Sequence, residues 1–500
     1  MYRHSEKQLG FVEFHLPFGG RLLASNRWVR LAQMIPWHEF EEQYCRNLTN
    51  DGKGPPALSV RMALAALIIK ERLGVTDEEC VEQIRENPYL QYFCGMKAFN
   101  TDRPFHPTML VHFRKRFPAD ILKGMNEVVV ARAAEATGKD EDDDEPRGSS
   151  GEPDNKGKLV LDATCVPADI TYPTDLKLLN AAREKSEQII DTLHKSRRRG
   201  HKKPRTYRNK ARKVYLATAK SKRVSSNKLR KARRAQLGYL HRNLKSIDGL
   251  SQTTGLTPLS GGQYRNLLVI SELYRQQQWM HDHGSLRIDD RIVSISQPHV
   301  RPIKRGKAGS DTEFGAKLSV SLVEGYAFVD HTSWDNFNEC LDLQDQVEAY
   351  KKRYGVYPAS VHADRIYRTR DNLHYCKKHH IRLSGPRLGR PPKETPENAA
   401  RLRAEALQAR QDELDRIPIE GKFGQGKRRF SIGRLMTKLA STSETAIALC
   451  FLVMNLEKWL AAIFLCLYVK EQKLRLQNTW ISCWLHAFHG RGAPAPIPIS

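Results

Sequence analysis

Two apolar, β-branched runs, each ending on a carboxylate, constrain the fold of this chain more than any other feature. They are Leu159-Val160-Leu161-Asp162-Ala163-Thr164 and Ala359-Ser360-Val361-His362-Ala363-Asp364. Runs of this length and composition read as strands. Helical patterns lie between and after them, so the expected class is α/β with a mixed sheet. In an open α/β sheet, functional side chains gather at strand ends, where loops rather than pleats aim them. Asp162 and Asp364 are expected at such ends, although a lone aspartate there also suits a loop or a helix cap.

The rest of the chain organises around these strands. Residues 1–135 read as an all-α N-terminal domain. Ser59 to Leu73 is apolar on most faces, Gly74 stops it, and Thr76 with Glu79 opens the next helix as a capping box. A helix after Pro107-Thr108 carries His112, Arg114, Lys115 and Arg116, which suits DNA binding; a plain helical scaffold is the alternative reading. Residues 136–156 turn acidic and then rich in Gly, Ser and Pro, a solvated linker. Residues 157–470 form the expected catalytic domain, interrupted at 176–288 by a large helical insertion, and 471–500 is a C-terminal tail. Within the domain, Ile292–Ile295, Ala316–Leu322, Tyr326–Val329 and Ile381–Leu383 read as further strands. Cys340–Lys352 reads as a helix, and another runs from Thr395-Pro396 to about Leu414. Ala446 to Val469 is apolar, but Asn455, Glu457 and Lys458 break it, so it reads as a buried core helix rather than a membrane span.

Charge narrows the partner. The formal net charge is +26, far from the globular norm, and implies a polyanion such as double-stranded DNA rather than a membrane. Lys195 to Arg234 is nearly half Lys and Arg, interleaved with Tyr207 and Tyr215. Such density repels itself unless an anion neutralises it, so Lys202, Lys203 and Arg205 are expected to meet phosphates. Nine cysteines without a CxxC motif fit a reducing compartment, and the N-terminus has no apolar leader, so a cytoplasmic, nucleoid-associated protein is expected.

A third acid completes the chemistry. Arg416, Glu420 and Lys427 stand at i, i+4 and i+11, so on a helix Glu420 and Lys427 share a face with Arg416 one turn behind. Pro418 is expected in the first turn of that helix. Three carboxylates on a rigid scaffold supply the hard oxygen ligands that two Mg²⁺ ions need for phosphoryl transfer, with Mn²⁺ as a substitute. In so basic a chain the phosphodiester is a nucleic acid's.

The spacing R-x3-E-x6-K resembles the signature around the catalytic glutamate of bacterial insertion-sequence DDE transposases of the IS-four/IS-five group. DATCVPADITYPTDL from Asp162, VHADRIYRTRDN from Val361, RLSGPRLGRPP from Arg382 and IEGKFGQGKRR from Ile419 resemble that group too, over about residues 40–460. The resemblance implies an RNase H-like catalytic core and a DDE triad of Asp162, Asp364 and Glu420. Arg365, Arg368, Arg416 and Lys427 would be DNA contacts, and a homodimer would pair two element ends. Cleavage at those ends and strand transfer would be the reaction. One departure is Glu413, which stands where the signature has tyrosine.

Rival readings are weaker. Gly421 to Lys427 fits seven positions of the NTPase phosphate loop, but Arg428 replaces the required hydroxyl and no buried strand precedes it. Cys376, His379 and His380 lack a second ligand pair for zinc. Asp330 and Asp335 are alternative acids. A non-enzymatic nucleic-acid-binding protein and a nuclease without strand transfer are the competing functions.

Overall fold

The computed structural model describes residues 10–46, 48, 56–136, 155–196, 202–307, 310–390 and 395–489. Most of the acidic linker (137–154) and the last residues of the tail (490–500) lie outside these. By contacts the chain divides into two compact units. The first holds residues up to Asp154 with Leu322–Phe328 and the chain from Ala448 on; the second holds Asn155–Ser321 and Val329–Ile447.

The first unit contains α1 (Arg27–Met34), α2 (Trp37–Arg46), α3 (Val60–Leu73), α4 (Asp77–Glu86), α5 (Pro88–Phe93), α6 (Met109–Arg116) and α7 (Ala119–Ala136). Local chemistry starts and stops them as the sequence indicates. The Ser59 and Thr76 side chains accept from the Met62 and Glu79 N–H groups, and Gly74 ends α3 in the left-handed region at φ 65°. α3 is buried nearly all round. Even its Arg61 lies inside, donating to the Phe93 and Tyr92 carbonyls at 3.0 and 2.6 Å.

The second unit holds most of a six-stranded sheet. Its strands are β1 (Lys158–Pro167), β2 (Arg301–Lys307), β3 (Ser310–Val323), β4 (Tyr326–Ser333), β5 (Ser360–His362) and β6 (Arg382–Leu383). Their order is β2-β3-β1-β5-β6, with β4 also on β3. β1 pairs parallel with β5, and β5 parallel with β6, through Val160↔His362 and Val361↔Leu383. Gly315 lets β3 close on the end of β1: a Cβ there would stand 2.0 Å from the Val166 carbonyl oxygen.

Between β1 and β2 lies the helical insertion: α8 (Asp175–Lys195), α9 (Arg208–Ala219), α10 (Ser226–Thr254) and α11 (Gly261–Asp282). It has its own apolar core, where Leu179, Ala182, Leu240, Ile270 and Leu273 meet Ile292 and Ile295. Ile292–Ile295 is therefore not the strand expected from its composition. It is an irregular segment whose isoleucines are consumed by the insertion's core instead of a ladder. After β4 come α12 (Leu343–Tyr354), α13 (Arg370–Lys378), α14 (Ala399–Arg429) and α15 (Ala440–His489). α14 is one helix through Pro418, not a helix ending near Leu414 followed by a second one starting at the proline.

α15 is long and apolar enough to cross a membrane. Between Ala448 and Leu460, however, it is mostly buried within the first unit, where Asn455 donates to the Asn126 Oδ1 and the Ala327 carbonyl at 2.9 and 2.8 Å. The expected burial stops there, since Leu465 and Tyr468 are exposed.

Candidate active site

Register brings the two aspartates together. β1 and β5 are adjacent parallel strands paired at Val160↔His362. Two residues further along stand Asp162 and, just past the end of β5, Asp364, and both line one cavity. Asp162 is not at a strand end, as its composition-based reading had it: β1 continues through it to Pro167. Its position is nonetheless open to the cavity, because the shorter β5 stops at His362. Asp162 Oδ1 accepts from the Ala163 N–H at 2.8 Å. Asp364 caps the 3₁₀ turn Arg365–Tyr367, its Oδ1 accepting from the Arg365 N–H at 2.7 Å.

α14 brings the third acid. It packs on β1 and β5, burying Asp412, Ile419, Phe423 and Gly426. Arg416, Glu420 and Lys427 line one cavity of about 890 Å³ with Asp162 and Asp364. Arg416 Nη1 lies 3.7 Å from Asp364 Oδ1. Burial raises the Asp162 carboxyl to about 6; the negative charges of Glu339 and Asp364 add to the rise, while the Ala163 N–H and Arg416 oppose it. Hard oxygen donors with incompletely neutralised charge fit a divalent cation, so the residues present suit Mg²⁺.

The expected basic contacts divide. Arg416 and Lys427 are cavity residues. Arg365 is exposed beside the cavity residue Asp364. Arg368 is turned inward and donates to the Leu383 and Ser384 carbonyls, both at 2.7 Å, so it ties down the end of β6. Lys202, Lys203 and Arg205 lie on the insertion, outside the cavity lining. Lys202 is exposed, Lys203 pairs with Asp191 at 2.6 Å, and Arg205 stacks 4.8 Å from the Tyr207 ring centroid.

The rivals fare differently. Gly421 to Lys427 is helical, so it forms no phosphate-cradling loop. Asp330 is held by Arg353 and Gln346, both at 3.0 Å, and is not among the cavity residues; neither is Asp335.

Sequence reasoning missed Glu339, Lys317, Lys304, Asn336 and Asn338, which complete the cavity wall. A polar residue alternating with Ser319 and Ser321 along β3 was the available signal for Lys317. A second titratable group, His362 with Asp412 and Asp415, also went unread. Its ligand atoms lie within 4.8 Å of one another. Arg382 holds Asp412 through two bonds of 2.9 and 2.8 Å, and Lys158 holds Asp415 at 2.8 Å. The carboxylates are thus already neutralised, and the group serves to dock α14 on β1, β5 and β6.

Two family models match parts of the chain. Residues 361–457, which contain Asp364 and Glu420, match the transposase DDE domain. Residues 18–116 match a second transposase domain, DUF772. The uncharacterized protein ORF8 in the nfe locus of Rhizobium meliloti is 32% identical over 152 residues, covering 30% of this chain and 66% of that protein, just under two thirds of its length. No solved structure matches the chain.

Proposed function

We propose that this chain, which matches two transposase domains, acts as an insertion-sequence DDE transposase that binds the ends of its element and catalyses Mg²⁺-dependent DNA strand cleavage and strand transfer. The observation that carries this reading is the convergence of Asp162, Asp364 and Glu420, from β1, the end of β5 and α14, on one cavity with Arg416 and Lys427. A strand order with β1 between β3 and β5, and β6 outermost, supports an RNase H-like core. The R-x3-E-x6-K spacing supports placement in the IS-four/IS-five group.

Asp162, Asp364 and Glu420 would hold two Mg²⁺ ions, which when bound supply Lewis-acid activation of the attacking and leaving oxygens. The chain's own cations do the rest. Arg416 presents a planar fork suited to phosphate oxygens, and Lys427 adds a point charge further along the same helix. Both lie on the helix that carries Glu420, so a bound phosphodiester and the third carboxylate share one rigid support. Double-stranded DNA, as element ends and as target, is the partner the net charge of +26 favours. A second copy of the chain would serve to pair the two ends.

The test is cleavage and joining of DNA carrying the gene's own flanking sequences, with wild type, Asp162→Asn and Glu420→Gln compared in Mg²⁺. Cutting and joining by wild type alone, with binding kept in both variants, is the expected result. Cutting without joining would make the protein a nuclease, and variants as active as wild type would overturn the site.

A further inference from the structure

Four carboxylates, not three, line the cavity. The fourth is Glu339, which opens the 3₁₀ turn Glu339–Asp342 just ahead of α12 and shares the wall with Asp162, Asp364 and Glu420. Its surroundings are built rather than incidental. Lys317, from the β3 strand beside β1, pairs with Glu339 Oε2 at 2.7 Å. The same ammonium donates to the Phe337 carbonyl at 2.8 Å and sits 4.8 Å from the centroid of the Phe337 ring. Two residues on, Ser319 donates to Asp342, so β3 fastens this loop at two points. Both members of the Lys317–Glu339 pair are largely sheltered, with side chains 14% and 19% exposed.

Sheltering an ion pair costs desolvation that the pair's own attraction repays only in part. An exposed position nearby would have avoided that cost, so the placement calls for a use. Oε2 is engaged by Lys317, while Oε1 has no hydrogen-bond partner among the described residues. A carboxylate anchored through one oxygen and open at the other suits an ion, or the water around one.

Resting on the reading of this cavity as a divalent-metal site, we propose that Glu339 is a fourth carboxylate of the metal-binding set and that Lys317 is the positioning residue that holds it there. Lys317 also balances its charge while no ion is bound, which limits repulsion among the acids. Glu339→Gln separates this role from a purely structural one, because the amide keeps the shape and can still accept from Lys317 but brings no charge to a cation.

The experiment is a calorimetric titration of the full chain with MnCl₂ in the absence of DNA, repeated with Asp162→Asn and Glu339→Gln. Thermal melts in chelator serve as the folding control. Loss of an outer partner of a metal site typically weakens binding by about 10- to 100-fold. Glu339→Gln should therefore weaken Mn²⁺ binding at least about ten-fold while melting like wild type in chelator. If Glu339→Gln binds as wild type does and Asp162→Asn does not bind, Glu339 is outside the metal set and the three-carboxylate site stands. If wild type itself takes up no Mn²⁺ saturably, the reading of the cavity falls and this proposal with it. Should the glutamine variant fail to fold, Glu339→Asp takes its place: it keeps the charge, shortens the reach by one methylene, and should also weaken Mn²⁺ binding. Unchanged affinity in that variant would equally refute the assignment.

Discussion

Asp162→Asn should make the metal-free protein more stable, by an amount that grows with pH. Burial, with the charges of Glu339 and Asp364 behind it, lifts the Asp162 carboxyl from 3.8 to about 6. An acid whose pKa is higher in the folded state than in the unfolded chain binds its proton more tightly when folded. Stability is then lost as pH rises from about 3.8 to about 6, and the loss persists at higher pH. At 1.36 kcal/mol per unit, the rise corresponds to about 3 kcal/mol at pH 7.5 and to about half a kcal/mol at pH 4. Asparagine escapes this penalty and keeps an Oδ1 for the Ala163 N–H, which Asp162 engages at 2.8 Å.

Solvent reaching the cavity screens part of this penalty, so about 3 kcal/mol is a ceiling. At roughly 2 °C per kcal/mol for a unit of this size, the variant should melt up to about 6 °C higher at neutral pH and nearly with wild type at pH 4. Calorimetric melts in chelator from pH 4 to 7.5 measure this directly. A gap that does not change with pH, or a variant less stable than wild type at neutral pH, would refute the argument that burial and neighbouring acids keep Asp162 short of charge compensation. Activity would fall even as stability rises, as expected where a site holds groups that only its ligand can satisfy.

Other consequences follow from the packing. Gly315→Ala should destabilise the second unit by about 3 kcal/mol or more, since its Cβ would meet the Val166 carbonyl at 2.0 Å. Gly124→Ala, in α7 with nothing within 4 Å, should instead stabilise by about 1 kcal/mol, and parallel urea melts compare the two. Arg382→Met removes the partner that holds the Asp412 carboxyl below its ordinary range against the upward pull of burial. A depressed carboxylate pKa stabilises above the unfolded value and ceases to as pH falls. Wild type and this variant should therefore differ by about 1 kcal/mol at pH 7, with the gap narrowing as pH falls below the ordinary carboxylate value of 3.8, and melts across that range check it. Lys202→Ala and Arg205→Ala should each flatten the slope of log affinity against log salt by about 1 in DNA-binding titrations, and unchanged slopes would remove the insertion from the interface.

Much of this architecture was legible because its signals are local. The runs at Leu159 and Ala359 give strands, Ser59 and Thr76 give helix starts, and the charge of the insertion gives a helical body with a basic exterior. What escaped depends on pairing. Ile292 and Ile295 have strand composition, but the insertion's core consumes them. Asp162 is mid-strand, and only the early end of β5 opens it to the cavity. Glu339 carries no motif at all. It becomes a site residue because Lys317, twenty-two positions earlier, lies on the strand next to β1.

α14 shows most clearly why the sequence broke where the fold did not. Between Arg416 and Lys427 it contains Pro418 and the glycines at 421, 424 and 426. A proline in a helix interior costs about 3 kcal/mol, and each glycine adds about 1, so propensity alone forbids a helix here. Tertiary contacts on both sides of the proline overrule it. Asp412 and Asp415 are clamped by Arg382 and Lys158 before it, while Ile419 and Phe423 are buried after it. Ile417 and Pro418 face solvent, where water can take the carbonyl that the missing N–H leaves unpaired. The segment that carries Arg416, Glu420 and Lys427 is therefore helical because it is docked, and its docking residues are as much a condition of the site as the acids themselves.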